Sequence, residues 1–120
     1  EDNYKTMQET LDLAIDLKCE MVNFYCAMAY PGSKLYNVAV KEQMTLPFSW
    51  SGYSQHSRST RPLDTKFISG PEVLKFRDEA FTKYFTDIDY LNMIKDKFGS
   101  NTCDNIENMT SIKLEREYVN

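Results

Sequence analysis

The residues of this chain best suited to holding a metal or attacking carbon are Cys19, Cys26, Cys103 and His56. Their spacing favours neither use. Zinc sites are built from ligand pairs a few residues apart, whereas Cys19 and Cys26 are separated by six residues and Cys103 and His56 are remote. No metal site is therefore expected. Three cysteines at wide intervals do not make a disulfide framework, so a reducing, cytoplasmic setting is the simplest expectation. His56 is the only histidine. As a general acid–base it would need a partner to orient it, and the sequence names none. The carboxylate pairs Asp78-Glu79 and Asp87/Asp89 do not share a helix face at those spacings, and the second pair reads as helix caps. Cys26 falls on an apolar face and reads as a core residue rather than a reactive thiol.

Other features suggest binding rather than catalysis. Ser33 follows a Pro-Gly turn and opens a short helix, whose free N–H groups would attract an anion or simply be satisfied locally. From Thr45 to Ser69 no periodicity is visible, yet Phe48, Trp50, Tyr53, His56, Arg58 and Arg61 lie within the stretch. A loop this long in a compact domain is often functional, and its rings and arginines suit a clamp or lid.

These groups depend on the elements that hold them. Asp2 or Asn3 caps a first helix running to about Lys18, with Met7, Leu11, Ala14 and Ile15 as its buried stripe. Met21 to Met28 reads as a strand. Val22, Phe24, Cys26 and Met28 form its apolar set, and Asn23, Tyr25, Ala27 and Ala29 its small or polar set. The second set would face a barrel lumen or a cofactor pocket, or else solvent if the strand lies at an edge. Pro31 and Gly32 end the strand, and the next helix carries Leu35, Tyr36, Ala39 and Val40. Ser69-Gly70-Pro71-Glu72 starts a helix reaching about Phe85. Asp87 or Asp89 caps another, closed by Gly99. The last helix begins near Thr102 and carries Cys103, Ile106, Met109, Ile112 and Leu114. Its charged end, Lys113 to Glu117, is expected to fray.

Composition limits the alternatives. The chain has 120 residues, 42% of them hydrophobic and 13% aromatic, which fits one ordered domain rather than a disordered segment. A net charge of -4 argues against nonspecific nucleic-acid binding. No apolar run is long enough to span a bilayer. Glu1-Asp2-Asn3 is no signal peptide and reads as a boundary within a longer chain. The expected fold is α+β, predominantly α: about five helices with one main strand and a helical C-terminal region. Residues 1–44 form a helix–strand–turn–helix unit, 45–69 the aromatic, Ser-rich loop and 70–120 the helical region. A single parallel strand needs neighbours, and no second strand of that quality is present.

The run Thr6-Met7-Gln8-Glu9-Thr10-Leu11-Asp12-Leu13-Ala14, then Asn23-Phe24-Tyr25, then Ala29-Tyr30-Pro31-Gly32-Ser33-Lys34-Leu35-Tyr36, resembles the closing helix and last strand of the radical S-adenosylmethionine partial barrel. The family's turn is Pro-Tyr-Pro-Gly-Thr-x-Leu-Tyr; here Ala29 replaces the first proline and Ser33 the threonine. Trp50-Ser51-Gly52-Tyr53-Ser54-Gln55-His56 and Arg77-Asp78-Glu79-Ala80-Phe81 resemble the C-terminal region of the cobalamin-binding branch. That branch includes Fe–S oxidoreductases and anaerobic magnesium-protoporphyrin monomethyl ester cyclases. The resemblance covers most of the chain and makes residues 1–44 the end of the barrel.

The resemblance implies a parent enzyme with a [4Fe–4S] cluster, S-adenosylmethionine and cobalamin. It places Asn23, Tyr25 and Ala27 on the S-adenosylmethionine side of the barrel, and Trp50, Tyr53, Gln55 and His56 on the substrate side. It also exposes an absence: the family's Cys-x-x-x-Cys-x-x-Cys motif does not occur here. No catalytic residue is therefore assigned. The chain reads as a C-terminal fragment, inactive alone, whose partner is the rest of its parent. The rival reading is an autonomous, non-enzymatic helical interaction module that docks through the face from Phe76 to Phe85.

Overall fold

A computed structural model describes residues 2–120. Five α-helices and one short 3₁₀ turn make up its regular structure: α1 (Tyr4–Leu17), α2 (Lys34–Lys41), the 3₁₀ turn (Trp50–Tyr53), α3 (Gly70–Phe85), α4 (Ile88–Phe98) and α5 (Ser100–Ser111). The helix starts follow the sequence signals. Asn3 caps α1 by accepting from the Thr6 N–H at 3.1 Å, while the Thr6 hydroxyl accepts from the Asn3 N–H at 3.0 Å. Ser33 caps α2, and Ser69 with Glu72 forms a second capping box at α3. Asp87 accepts from the Tyr90 N–H at 2.9 Å to start α4. Gly99, at φ 88°, supplies the positive backbone angle that turns α4 into α5.

One expected element is absent. Met21 to Met28 forms no strand, and no sheet exists among the described residues, so the α+β expectation is corrected to an all-helical fold with an irregular connector. Burial does alternate from Met21 to Met28: Val22 and Phe24 are half-buried and Cys26 and Met28 buried, while Met21, Asn23, Tyr25 and Ala27 are exposed. Ala29, assigned to the open set, is buried. Alternation reports an extended course, but a strand also requires another backbone alongside it. This segment has a single such bond, from the Leu63 N–H to the Ala27 carbonyl, and no ladder.

Two clusters form the core. The larger joins Tyr84, Phe85, Tyr90, Ile94 and Ile106 from α3, α4 and α5. The Tyr84 and Tyr90 rings lie 5.0 Å apart. Their hydroxyls reach out of the cluster, Tyr84 donating to the Cys19 carbonyl and Tyr90 to that of Glu20 at 2.9 Å. Burying these rings therefore also fixes the chain where it leaves α1. The smaller cluster, Ala29, Ala39 and Leu63, ties α2 to the connector and the loop. Gly70 is required where α3 meets that loop, because a Cβ there would lie 2.1 Å from the Pro62 carbonyl oxygen.

The last helix differs from expectation at both ends. It begins at Ser100 and stops at Ser111, so Ile112 and Leu114 lie beyond it in an irregular tail. The tail is also anchored where fraying was expected. Arg116, with a side chain only 4% exposed, bonds Asp78, the Ser57 and Gln55 carbonyls and the Thr60 hydroxyl.

The molecule measures 51 × 27 × 26 Å, with a radius of gyration of 16.1 Å. A compact chain of this length would have a radius of about 13.6 Å. Its accessible surface is 7947 Å², against about 6,700 Å² for a folded monomer of this mass. Apolar side chains contribute to it: Leu13, Leu17, Met21, Tyr25, Phe48, Trp50 and Ile112 are all more than half exposed.

Candidate functional site

The extended connector is held in place by side chains. The amide of Gln55 bridges one residue of it: Cys26 N–H donates to Gln55 Oε1 at 3.0 Å, and Gln55 Nε2 donates to the Cys26 carbonyl at 2.9 Å. This is the pair of bonds a neighbouring strand would make, supplied here by one side chain. Two residues earlier, Arg77 Nε donates to the Phe24 carbonyl at 2.8 Å. In an extended chain, even-numbered residues direct their N–H and C=O to one edge and odd-numbered residues to the other. One edge is thus capped at Phe24 and Cys26. On the other, the Ala27 carbonyl accepts from Leu63 N–H at 3.2 Å. Asn23 and Tyr25 make no backbone hydrogen bond to any described residue.

Asn23, Tyr25 and Ala27 are brought together. They line a groove of about 260 Å³ with Leu11 of α1, Leu63 of the loop, and Phe76 and Ala80 of α3. The Asn23 amide and Tyr25 hydroxyl would hydrogen-bond a polar ligand there. The groove is smaller than the roughly 300–1,000 Å³ usual for small-molecule sites, so a molecule the size of S-adenosylmethionine would extend beyond it.

The four substrate-side candidates separate into two places. Trp50 and Tyr53 sit 6.2 Å apart on the 3₁₀ turn, and Tyr53 lies 6.3 Å from Tyr30. Trp50 is 80% exposed, which rules out a core-anchor role in this chain. A hydroxyl chain linking Ser49, Ser51, Ser59 and Ser57 stiffens the loop beneath it. Gln55 and His56 instead reach the connector. Gln55 caps Cys26, while His56 packs edge-on to Tyr25 at 6.5 Å and its Nε2 lies 3.3 Å from Arg77 Nη2. Arginine cannot give up its proton, so His56 Nε2 accepts in this contact. That is an orienting bond, but to a cation rather than to the carboxylate of a catalytic pair.

Arg77, Asp78 and Arg116 form a unit that no local sequence pattern announces. Asp78 takes Arg77 Nη1 at 2.9 Å and two Arg116 nitrogens at 2.8 and 2.9 Å. Burial alone would push its carboxyl up, but the hydrogen bonds and positive charge of the two guanidinium groups hold it below the ordinary carboxylate value. Only a signal linking positions 78 and 116 could have revealed this, and one sequence carries none. Burial pushes the Cys26 thiol up to about 11, so it is protonated and unreactive at neutral pH.

An iron–sulfur cluster needs several thiolates converging on one point. Cys19 is exposed after α1, Cys26 is buried in the connector, and Cys103 lies on α5. Among the described residues no three His, Cys, Asp or Glu side chains are placed to hold a metal. These residues do not fit a [4Fe–4S] cluster, and they do not form a zinc site. No described helix is long and apolar enough to cross a membrane. No protein family, curated protein or solved structure matches this chain.

Proposed function

We propose that this chain is the C-terminal part of a radical S-adenosylmethionine protein of the cobalamin-binding type, completing the barrel wall and covering its substrate side. Alone it is inactive, since cluster chemistry belongs to residues it does not contain. The observation that carries this reading is the asymmetry of the connector. Its even edge is capped by Gln55 and Arg77, while on the odd edge only Ala27 is bonded, by Leu63, and the backbones of Asn23 and Tyr25 have no hydrogen-bond partner among the described residues. The terminal segment of an open barrel has a neighbour on one side only. The exposed apolar surface supports the same reading, because a piece cut from a larger body exposes what that body covered.

Amide hydrogen exchange on the isolated chain tests this. Asn23 and Tyr25 should exchange at nearly unprotected rates, while Cys26 is slowed by Gln55. Joined to the polypeptide that precedes it in its gene, the same two amides should become protected, and a Cys-x-x-x-Cys-x-x-Cys motif should lie upstream. Strong protection of residues 21 to 28 in a monomer of the isolated chain would overturn the reading. So would an upstream sequence without that motif.

The rival is an autonomous helical interaction module. It is favoured by one feature: the chain builds its own aromatic core and anchors its own tail through Arg116. The face from Phe76 to Phe85 is largely spent on the core, with Phe85 buried and Phe81 packed against the cluster, so on that reading docking falls to the exposed apolar side chains, and no upstream domain would alter exchange at Asn23 and Tyr25.

A further inference from the structure

A larger groove lies along α3 and is lined on another wall by the irregular tail, with a volume of about 830 Å³. This falls within the range of small-molecule sites. It runs along α3 from Lys75 to Phe85, about 15 Å at the helical rise. The two ends differ in chemistry. Near residue 78 it meets Arg77, Arg116 and His56; towards residue 85 its walls are Phe81, Phe85, Met109 and Ile112.

Its charge is opposite to that of the molecule. Lys75, Lys83, Lys113, Arg77 and Arg116 line it against only Asp78 and Glu79, a surplus of three positive charges on a chain of net charge -4. Asp78 is already matched by two guanidinium groups. Arg77 has five N–H donors, and three are engaged, by the Phe24 carbonyl, Asp78 and His56. Two have no partner among the described residues, on a guanidinium that lines the groove.

We infer that this groove binds a single-tailed anionic amphiphile, with its carboxylate or phosphate head at Arg77 and its hydrocarbon tail along Phe81, Phe85 and Met109, in the field of the surrounding lysines. Apolar burial supplies the attraction, and the cationic surplus selects an anion over a neutral molecule of equal length. The inference is independent of the parentage proposed above. The cluster motif does not enter it, and the connector enters only as wall, through Met21, Val22 and Asn23.

Calorimetric titration of the 120-residue chain with decanoate, decyl phosphate and decan-1-ol tests this, all below their aggregation concentrations. At least one anion should bind tenfold or more tightly than the alcohol, and the stronger of the two identifies the head group. Reversing three exposed lysines together (Lys75→Glu, Lys83→Glu, Lys113→Glu) should weaken the anion at least tenfold and the alcohol less than twofold. Methionine methyl spectra locate the site: Met21 and Met109 line the groove and should shift, whereas Met44 should not. Equal affinity for anion and alcohol, an unchanged triple variant, no binding at all, or a shift at Met44 in place of Met109 would each overturn the inference.

Discussion

Arg116 spends all five of its donors on one patch: two on Asp78, one on the Thr60 hydroxyl and two on loop carbonyls. Removing one partner of a fully buried ion pair costs roughly 3–5 kcal/mol. Asp78 is partly exposed and keeps Arg77, so Arg116→Ala should cost less, about 2–3 kcal/mol by urea unfolding. Arg116→Lys should recover only a minor part, because one ammonium cannot bridge these acceptors. The pH dependence follows from two other groups. The Cys26 thiol rises from 9.0 to about 11 on folding and the Tyr90 hydroxyl from 10.0 to about 12, both chiefly through burial. A raised acid pKa favours the fold while the group is protonated, so stability should be intact below about pH 9 and decline as pH rises through 11 and 12. Cys26→Ala should flatten the part of that decline between pH 9 and 11, measured as unfolding free energy against pH. Asp78 acts at the opposite end. Its contribution is present above the ordinary carboxylate range and is lost in acid as its lowered pKa is crossed.

Helices were the part of this fold most legible in the sequence, because helix starts are local. Asn3, Ser33, Ser69 with Glu72, and Asp87 each announce a cap within four residues, and each cap is formed. The connector was half legible. Period-two burial is written in Val22, Phe24, Cys26 and Met28, but whether a neighbouring backbone pairs with them is not a local property. The candidate site was legible only as far as it is local. Asn23, Tyr25 and Ala27 share a groove as alternation requires, while Gln55 and Arg77 reach the connector from 29 and 53 residues away. Gln55 gives the sharpest test at this scale. Gln55→Leu keeps much of the bulk but strips the N–H and C=O of Cys26 of their partner, which should cost about 1–3 kcal/mol. Gln55→Glu should behave differently, keeping an acceptor for the N–H while losing the donor to the carbonyl. Amide exchange at Cys26 should accelerate strongly in the first variant and weakly in the second.

At the scale of the molecule, helix order and core are self-contained, while the surface is not. The larger core draws on α3, α4 and α5, with α1 and the connector packed against it, but surface is left over well beyond what a monomer of this mass exposes. Composition could not reveal this, since 42% hydrophobic content suits a sealed domain as well as an open one. The aromatic residues are divided the same way. Tyr84, Phe85 and Tyr90 are fully buried in the core, whereas Trp50, the sole tryptophan, stands 80% exposed on the stiffened loop. Optical signals will therefore report on different regions. Tryptophan emission from the native chain should already be solvent-like and readily quenched by iodide, and denaturant should change it little. Near-ultraviolet tyrosine dichroism should record the collapse of the core. An unfolding curve followed by fluorescence alone would understate the cooperativity of this protein, yet the same indole would shift to the blue as soon as another surface covered the loop, making Trp50 a built-in reporter of docking.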